Sequence, residues 1–169
     1  MATDDIISTE NYFLREDQSI SSIPSTIENL FIKDYNCDLN SILFVNMIIG
    51  WKSINIGADC FQHVREFVID GLECLESVQI SGSCFRLRND HPANIWDAFI
   101  LPLNKYRYFE ERDDGICRIT NCPNLRQLEI GDESFADFQS FEISNLNSLQ
   151  SIKFGDCCFC YTDFSLKGE

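Results

Sequence analysis

Three cysteines crowd one short stretch, Cys157, Cys158 and Cys160, in a chain that holds nine cysteines and two histidines. Thiolates this close are the raw material of a zinc site, which needs four ligands, commonly as two Cys/His pairs at finger-like spacing. No second pair follows, so structural thiols are the better reading and no metal is expected. Catalysis asks for a nucleophile, a base and an electrostatic stabiliser that converge. His63 falls in a turn and His91 stands beside Pro92, each without a sequence partner. No Gly-x-Ser-x-Gly, Walker or Gly-x-Gly-x-x-Gly pattern occurs. Glu110-Glu111 and Asp113-Asp114 offer oxygen ligands to calcium, but their spacing is not that of an EF-hand loop and suits a solvated turn. The chain is therefore expected to be no enzyme and to take no cofactor.

Recognition chemistry is better represented. Asn55, Gln79, Glu129 and Lys153 recur at equivalent points between pairs of aliphatic residues. Phe31 stands at a fifth such point, and Lys52, Glu76, Arg126 and Gln150 flank the series. Mixed side chains at equivalent outward positions are what a recognition surface needs, and drift of exposed positions is the alternative. A second group, Trp96, Tyr106, Arg107 and Tyr108, supplies the residue types that dominate interface hot spots.

The elements that position these residues follow from a recurring phrase. Ser53 to Phe61 returns as Ser77 to Phe85, then as Gln127 to Phe135, then as Ser151 to Phe159. The first and last pairs are each offset by 24 residues, a period that means stacked coils. Each unit carries two runs of period-two alternation. The first comprises Leu30/Ile32, Ile54/Ile56, Val78/Ile80, Leu128/Ile130 and Ile152/Phe154. The second comprises Leu43/Val45, Phe67/Ile69, Cys117/Ile119, Phe141/Ile143 and Phe164/Leu166. Alternation of this kind puts one face of each strand inward. The fold expected is mainly β, a leucine-rich-repeat-like solenoid of about five coils with two short parallel strands in each.

Further apolar positions recur at Ile48, Leu72, Cys122 and Leu146, and at Trp51, Leu75, Leu125 and Leu149. Phe61, Phe85, Phe135 and Phe159 are expected to form an interior column. Cys60, Cys84 and Cys158 precede the phenylalanine, with Ser134 as their counterpart, and read as small buried hydrophobes. Gly57, Gly131 and Gly155 are expected to turn the chain through a left-handed conformation, as are Gly71, Asn121 and Asn145 at another corner.

Residues 1–22 are polar and lie outside the pattern, so they are expected as a tail or as a cap through Tyr12, Phe13 and Leu14. Residues 23–169 form the solenoid, with an insertion at about 86–116, or one degenerate coil with an extension. Insertions in such folds map to one face, often the binding face. The last coil has no polar cap after it, which opens an alternative role as a structural unit that self-associates end to end through its C-terminal edge.

Composition narrows the partners. A net charge of −14 with a pI near 4.4 repels nucleic acid and anionic membranes. No apolar run approaches the 20 or so residues of a membrane span. The acidic start, the odd cysteine count and the lack of an Asn-x-Ser/Thr sequon favour a reducing, cytoplasmic setting.

The phrase Leu-x-Ser-Ile-x-Ile-Gly-x-x-Cys-Phe, approached by Leu75 to Phe85 with Val78 and Ser81 and by Leu149 to Phe159 with Phe154, resembles the irregular leucine-rich repeats of BspA-like proteins, with Cys or Ser in place of their Ala. The longer phrase Cys117 to Gly131 is similar to expanded leucine-rich-repeat families of unicellular eukaryotes. The resemblance spans about residues 28–166. It implies a leucine-rich-repeat fold whose strand face is the usual contact surface, and so a protein partner. It carries over no functional residue, because the shared positions are core and turn.

Overall fold

A computed structural model describes residues 11–14, 23–34, 41–45, 50–62, 64–86, 115–160 and 163–167. Eleven strands occur there, and no helix. In chain order they are β1 Asn11–Leu14, β2 Asn29–Ile32, β3 Ser41–Val45, β4 Ser53–Ile56, β5 Glu66–Asp70, β6 Ser77–Ile80, β7 Ile116–Thr120, β8 Gln127–Ile130, β9 Ser140–Ser144, β10 Ser151–Phe154 and β11 Asp163–Lys167. They form two sheets, one ordered β1-β2-β4-β6-β8-β10 and the other β11-β9-β7-β5-β3. Every pairing is parallel. From β2 onward the chain alternates between sheets, so each return to a sheet runs in the same direction. Short connections thereby give parallel pairs without helices.

The alternation places the core. Leu30, Ile54, Val78 and Leu128 form one buried column of the first sheet, and Ile32, Ile56, Ile80 and Ile130 the next. Phe67, Cys117 and Phe141 face them from the second sheet, with Ile69, Ile119 and Ile143 beside them. At β10 the two columns of the first sheet reach the surface: Ile152 is 38% exposed and Phe154 43%.

The phenylalanines stack as expected. Ring centroids are 5.3 Å apart between Phe61 and Phe85, 4.4 Å between Phe85 and Phe135, and 5.0 Å between Phe135 and Phe159. Phe67 and Phe141 of the second sheet close on this column, at 4.7 Å from Phe85 and 4.4 Å from Phe159.

The corners follow two rules, one of which corrects the sequence reading. Gly71, Asn121 and Asn145 do have positive φ, of 71°, 54° and 55°. The two asparagine side chains link the corner, Asn145 Nδ2 donating to Asn121 Oδ1 at 2.7 Å and Asn121 Nδ2 to Asp70 Oδ1 at 2.6 Å. Gly57, Gly131 and Gly155 do not have positive φ. They are glycine because a neighbouring stretch of backbone passes too close for a side chain. A Cβ on Gly131 would lie 2.7 Å from Gly82 N, and Asp34 and Asp132 press on Gly57 and Gly155. Each of these aspartates accepts a backbone N–H, from Ala58 and Asp156 respectively, at 2.8 Å.

The left-handed residues of this corner come two and four positions later: Asp59 and Phe61, Ser83 and Phe85, Glu133 and Phe135, Cys157 and Phe159. The conformation aims their N–H groups both ways along the stack. Ser83 N donates forward to Asp132 O at 2.8 Å, and Phe85 N donates back to Cys60 O at 2.9 Å. A non-glycine residue held there costs on the order of 1–3 kcal/mol, which the buried ring and the bonds offset. Gly131→Ala is accordingly expected to lose about 1–3 kcal/mol in urea unfolding. Gly50→Ala, whose Cβ would meet nothing within 4 Å, is expected to stay within about 0.5 kcal/mol. Equal effects would contradict the close approach.

One detail differs from the sequence reading and two add to it. Residues 11–14, placed outside the pattern, form β1 and extend the first sheet, Tyr12 opposite Leu30 and Leu14 opposite Ile32. In β3 the register puts Ile42 opposite Phe67 and Leu43 opposite Val68. The equivalents of Phe67 and Ile69 are therefore Ile42 and Phe44, not Leu43 and Val45. Finally, β6 pairs directly with β8 and β5 with β7, each across 50 residues. The insertion or degenerate coil expected at about 86–116 lies mostly outside the described residues, at 87–114. The extra residues belong to the connection 81–115, which corresponds to 57–65 after β4 and 131–139 after β8.

Candidate functional site

The outward positions of the first sheet form two columns. One runs Asn11, Asn29, Ser53, Ser77, Gln127, Ser151, and the other Phe13, Phe31, Asn55, Gln79, Glu129, Lys153. The four ladder residues named from the sequence, Asn55, Gln79, Glu129 and Lys153, thus stand on consecutive paired strands. Neighbours in a parallel ladder are about 4.8 Å apart, so the four make a continuous row. Gln79, Glu129 and Lys153 are exposed and Asn55 is half-buried.

One end of this face is aromatic. Phe13 is 52% exposed and stacks on Phe31, with centroids 4.9 Å apart and planes 19° apart. Beside it, across β1, β2 and β4, runs a polar relay. Asn55 Nδ2 donates to Ser53 Oγ at 3.1 Å, Ser53 Oγ to Asn29 Oδ1 at 2.7 Å, and Asn29 Nδ2 to Asn11 Oδ1 at 3.0 Å. The far end is charged, with Lys153 Nζ 4.0 Å from Glu129 Oε2.

The flanking residues line up as well. Backbone bonds run from Lys52 N to Glu28 O, Glu76 N to Lys52 O, Arg126 N to Glu76 O and Gln150 N to Arg126 O. Charge alternates along that edge from Glu28 through Lys52, Glu76 and Arg126, with Lys52 Nζ 2.9 Å from Glu28 Oε2. The charges of the edge cancel, as do those of Glu129 and Lys153. A chain of net charge −14 therefore keeps this face near neutrality.

Phe13 and Glu28 were missed from the sequence. Phe13 lies 18 residues before Phe31, outside the 24-residue spacing, so only the alternation of Tyr12-Phe13-Leu14 could have signalled it. Trp96, Tyr106, Arg107 and Tyr108, and both histidines, lie outside the described residues.

The thiols do something other than fill space. Cys60 Sγ donates to Lys33 O at 3.0 Å, Cys84 Sγ to Gly57 O at 2.9 Å and Cys158 Sγ to Gly131 O at 2.9 Å. Ser134 Oγ does the same to Ser81 O at 2.9 Å. Cys60 and Cys84 are fully buried, as the sequence reading has it, and the position also calls for a donor to the preceding corner, which explains why Ser and Cys exchange there. The hydrogen bond to Cys60 and then burial push the Cys84 thiol far up, and burial pushes Cys117, Cys122 and Cys158 up. They stay protonated at neutral pH and so remain donors.

Among the described residues no group of three or more His, Cys, Asp or Glu is arranged to hold a metal ion. No helix among them is long and apolar enough to cross a membrane. No family model, curated protein or solved structure matches the chain.

Proposed function

We propose that this chain is a non-catalytic protein–protein interaction module, built as a leucine-rich-repeat-like solenoid and working in a reducing, cytoplasmic setting. Its contact surface is the outward face of the first sheet, centred on Asn55, Gln79, Glu129 and Lys153 and extended by Phe13 and Phe31. The observation that carries this reading is the composition of that face. A rigid parallel ladder displays non-repeating side chains, near-neutral overall, in a strongly acidic protein. An acidic surface repels most cellular polyanions, whereas a mixed, neutral face with an exposed aromatic pair suits a protein partner. The solenoid reading is supported by strand partners that recur 24 residues apart in the first ladder and 23 to 25 apart in the second. Trp96, Tyr106, Arg107 and Tyr108 in the insertion are proposed as additional anchors.

The test is capture of partners from the native lysate, comparing wild type with Gln79→Ala/Glu129→Ala. Both side chains point outward, so unfolding stability should change by no more than about 0.5 kcal/mol for each. Capture should fall about 30-fold, the effect of losing roughly 2 kcal/mol at an interface centre. A folded double variant that captures the same partners equally well overturns the strand-face assignment. Trp96→Ala/Tyr106→Ala tests the insertion in the same way.

A further inference from the structure

The clustered cysteines are not equivalent. Cys158 occupies the recurring donor position and is committed to Gly131 O. Cys157 and Cys160 stand where the other units carry Asp59, Ser83 and Glu133, and Gln62, Arg86 and Ala136. Packing at those positions is satisfied by acidic, basic, polar or small residues, so nothing in the fold asks for a thiol. Both departures from the pattern fall within the single turn 156–160, and both residues are exposed. Desolvation first, and then interaction with the neighbouring Cys157 thiol, push the Cys160 thiol up, so the two side chains stand close enough to act on each other.

From this juxtaposition we infer that Cys157 and Cys160 form a reversible dithiol–disulfide site whose co-reactant is a low-molecular-weight disulfide of the glutathione class. The Cys157 thiolate attacks one sulfur of the small disulfide, forming a mixed disulfide and releasing one thiolate, which takes up the proton that Cys157 gave. Cys160 then loses its proton and attacks the Cys157 sulfur, and the second small thiol leaves with that proton. Two protein thiols are oxidised to one disulfide, and one small disulfide is reduced to two thiols. The reverse exchange restores the dithiol. Transient disulfides of this kind are the sort a reducing compartment permits. Cys74, exposed in a turn of the other corner, provides an internal comparison as a thiol outside the pair.

The experiment incubates the full chain in oxidised and reduced glutathione at graded ratios, quenches with acid and maps the peptides by mass spectrometry. The peptide holding residues 157–160 is expected to lose two hydrogens and carry no glutathione, at ratios at least about tenfold more reducing than those that load Cys74. Cys158→Ser should leave this unchanged. Cys160→Ser should instead trap glutathione on Cys157. Separate glutathione adducts on Cys157 and Cys160 in the wild type would overturn the inference. So would a disulfide that disappears with Cys158→Ser, or a pair that stays unmodified while Cys74 reacts.

Discussion

Replacing Phe135 with alanine is expected to cost about 3–5 kcal/mol, the range for removing a buried aromatic side chain. The ring is fully buried and touches four others. It stacks on Phe85 at 4.4 Å and Phe159 at 5.0 Å, meets Phe138 edge-on at 4.9 Å, and lies 5.7 Å from Phe67 of the second sheet. Its backbone is held at φ 55°. Alanine keeps that conformational cost and loses the contacts that offset it, so the cavity is not relieved by any gain in backbone freedom. The loss is comparable with the whole stability of a marginal domain, which is about 5–15 kcal/mol. Urea unfolding measures it, with Phe13→Ala as the control. That ring lies half-exposed on the outer face, and its removal should cost less than about 1 kcal/mol. A Phe135→Ala effect below 1 kcal/mol would contradict an interior column.

The column was legible because phenylalanine recurs at a fixed distance after an alternating strand, and both periods can be read without coordinates. The same holds for the inward residues of β4, β6 and β8 and for the Asn121 and Asn145 corner. What could not be read has specific causes. In Ile42-Leu43-Phe44-Val45 every residue is apolar, so alternation does not say which pair faces inward, and the register came out one residue off. The segment Tyr12-Phe13-Leu14 repeats the strand but not the rest of the phrase, so no period ties it to β2. Left-handed phenylalanines leave no signal at all, since a bulky residue at positive φ is an outlier. A glycine expected there was instead explained by the approach of a neighbouring backbone.

The candidate surface was half legible. Asn55, Gln79, Glu129 and Lys153 are the outward partners of alternating strands, and the alternation names them directly. Their meaning as a surface depends on what lies beside them. Lys52, Glu76 and Arg126 share one phase of the repeat, but their balance with Glu28 appears only when Lys52 N is seen to donate to Glu28 O. Net charge alone points the other way, toward a uniformly acidic exterior. A protein with 27 acidic residues against 13 basic ones has too few cations to neutralise its whole surface. Four of them, Lys52, Arg126, Lys153 and Arg86, form ion pairs or line up beside carboxylates along this sheet and its corner.

Ser134→Ala is expected to destabilise the fold out of proportion to its single lost oxygen. That hydroxyl is fully buried, donates to Ser81 O at 2.9 Å and accepts from Cys84 N at 3.2 Å. Alanine strands both partners away from water, at about 1–3 kcal/mol for each group. Ser134→Cys restores the donor and is expected to recover about half of the loss, because sulfur is the poorer acceptor. The converse replacement separates the donor role from simple space-filling. If Cys84 is there to donate, Cys84→Ser will be less destabilising than Cys84→Ala in urea unfolding; the opposite order would mean that only its apolar bulk matters. Proton linkage gives a second readout. The Cys84 thiol is raised in the folded state, so its contribution is fully present below the unfolded thiol value of about 8.5 and is lost as pH rises above it. Wild-type stability should fall there by about 1.4 kcal/mol per pH unit for each thiol kept protonated by the fold. Cys84→Ser should make that slope shallower by the share of one proton, and an unchanged slope would show that Cys84 ionises as freely folded as unfolded.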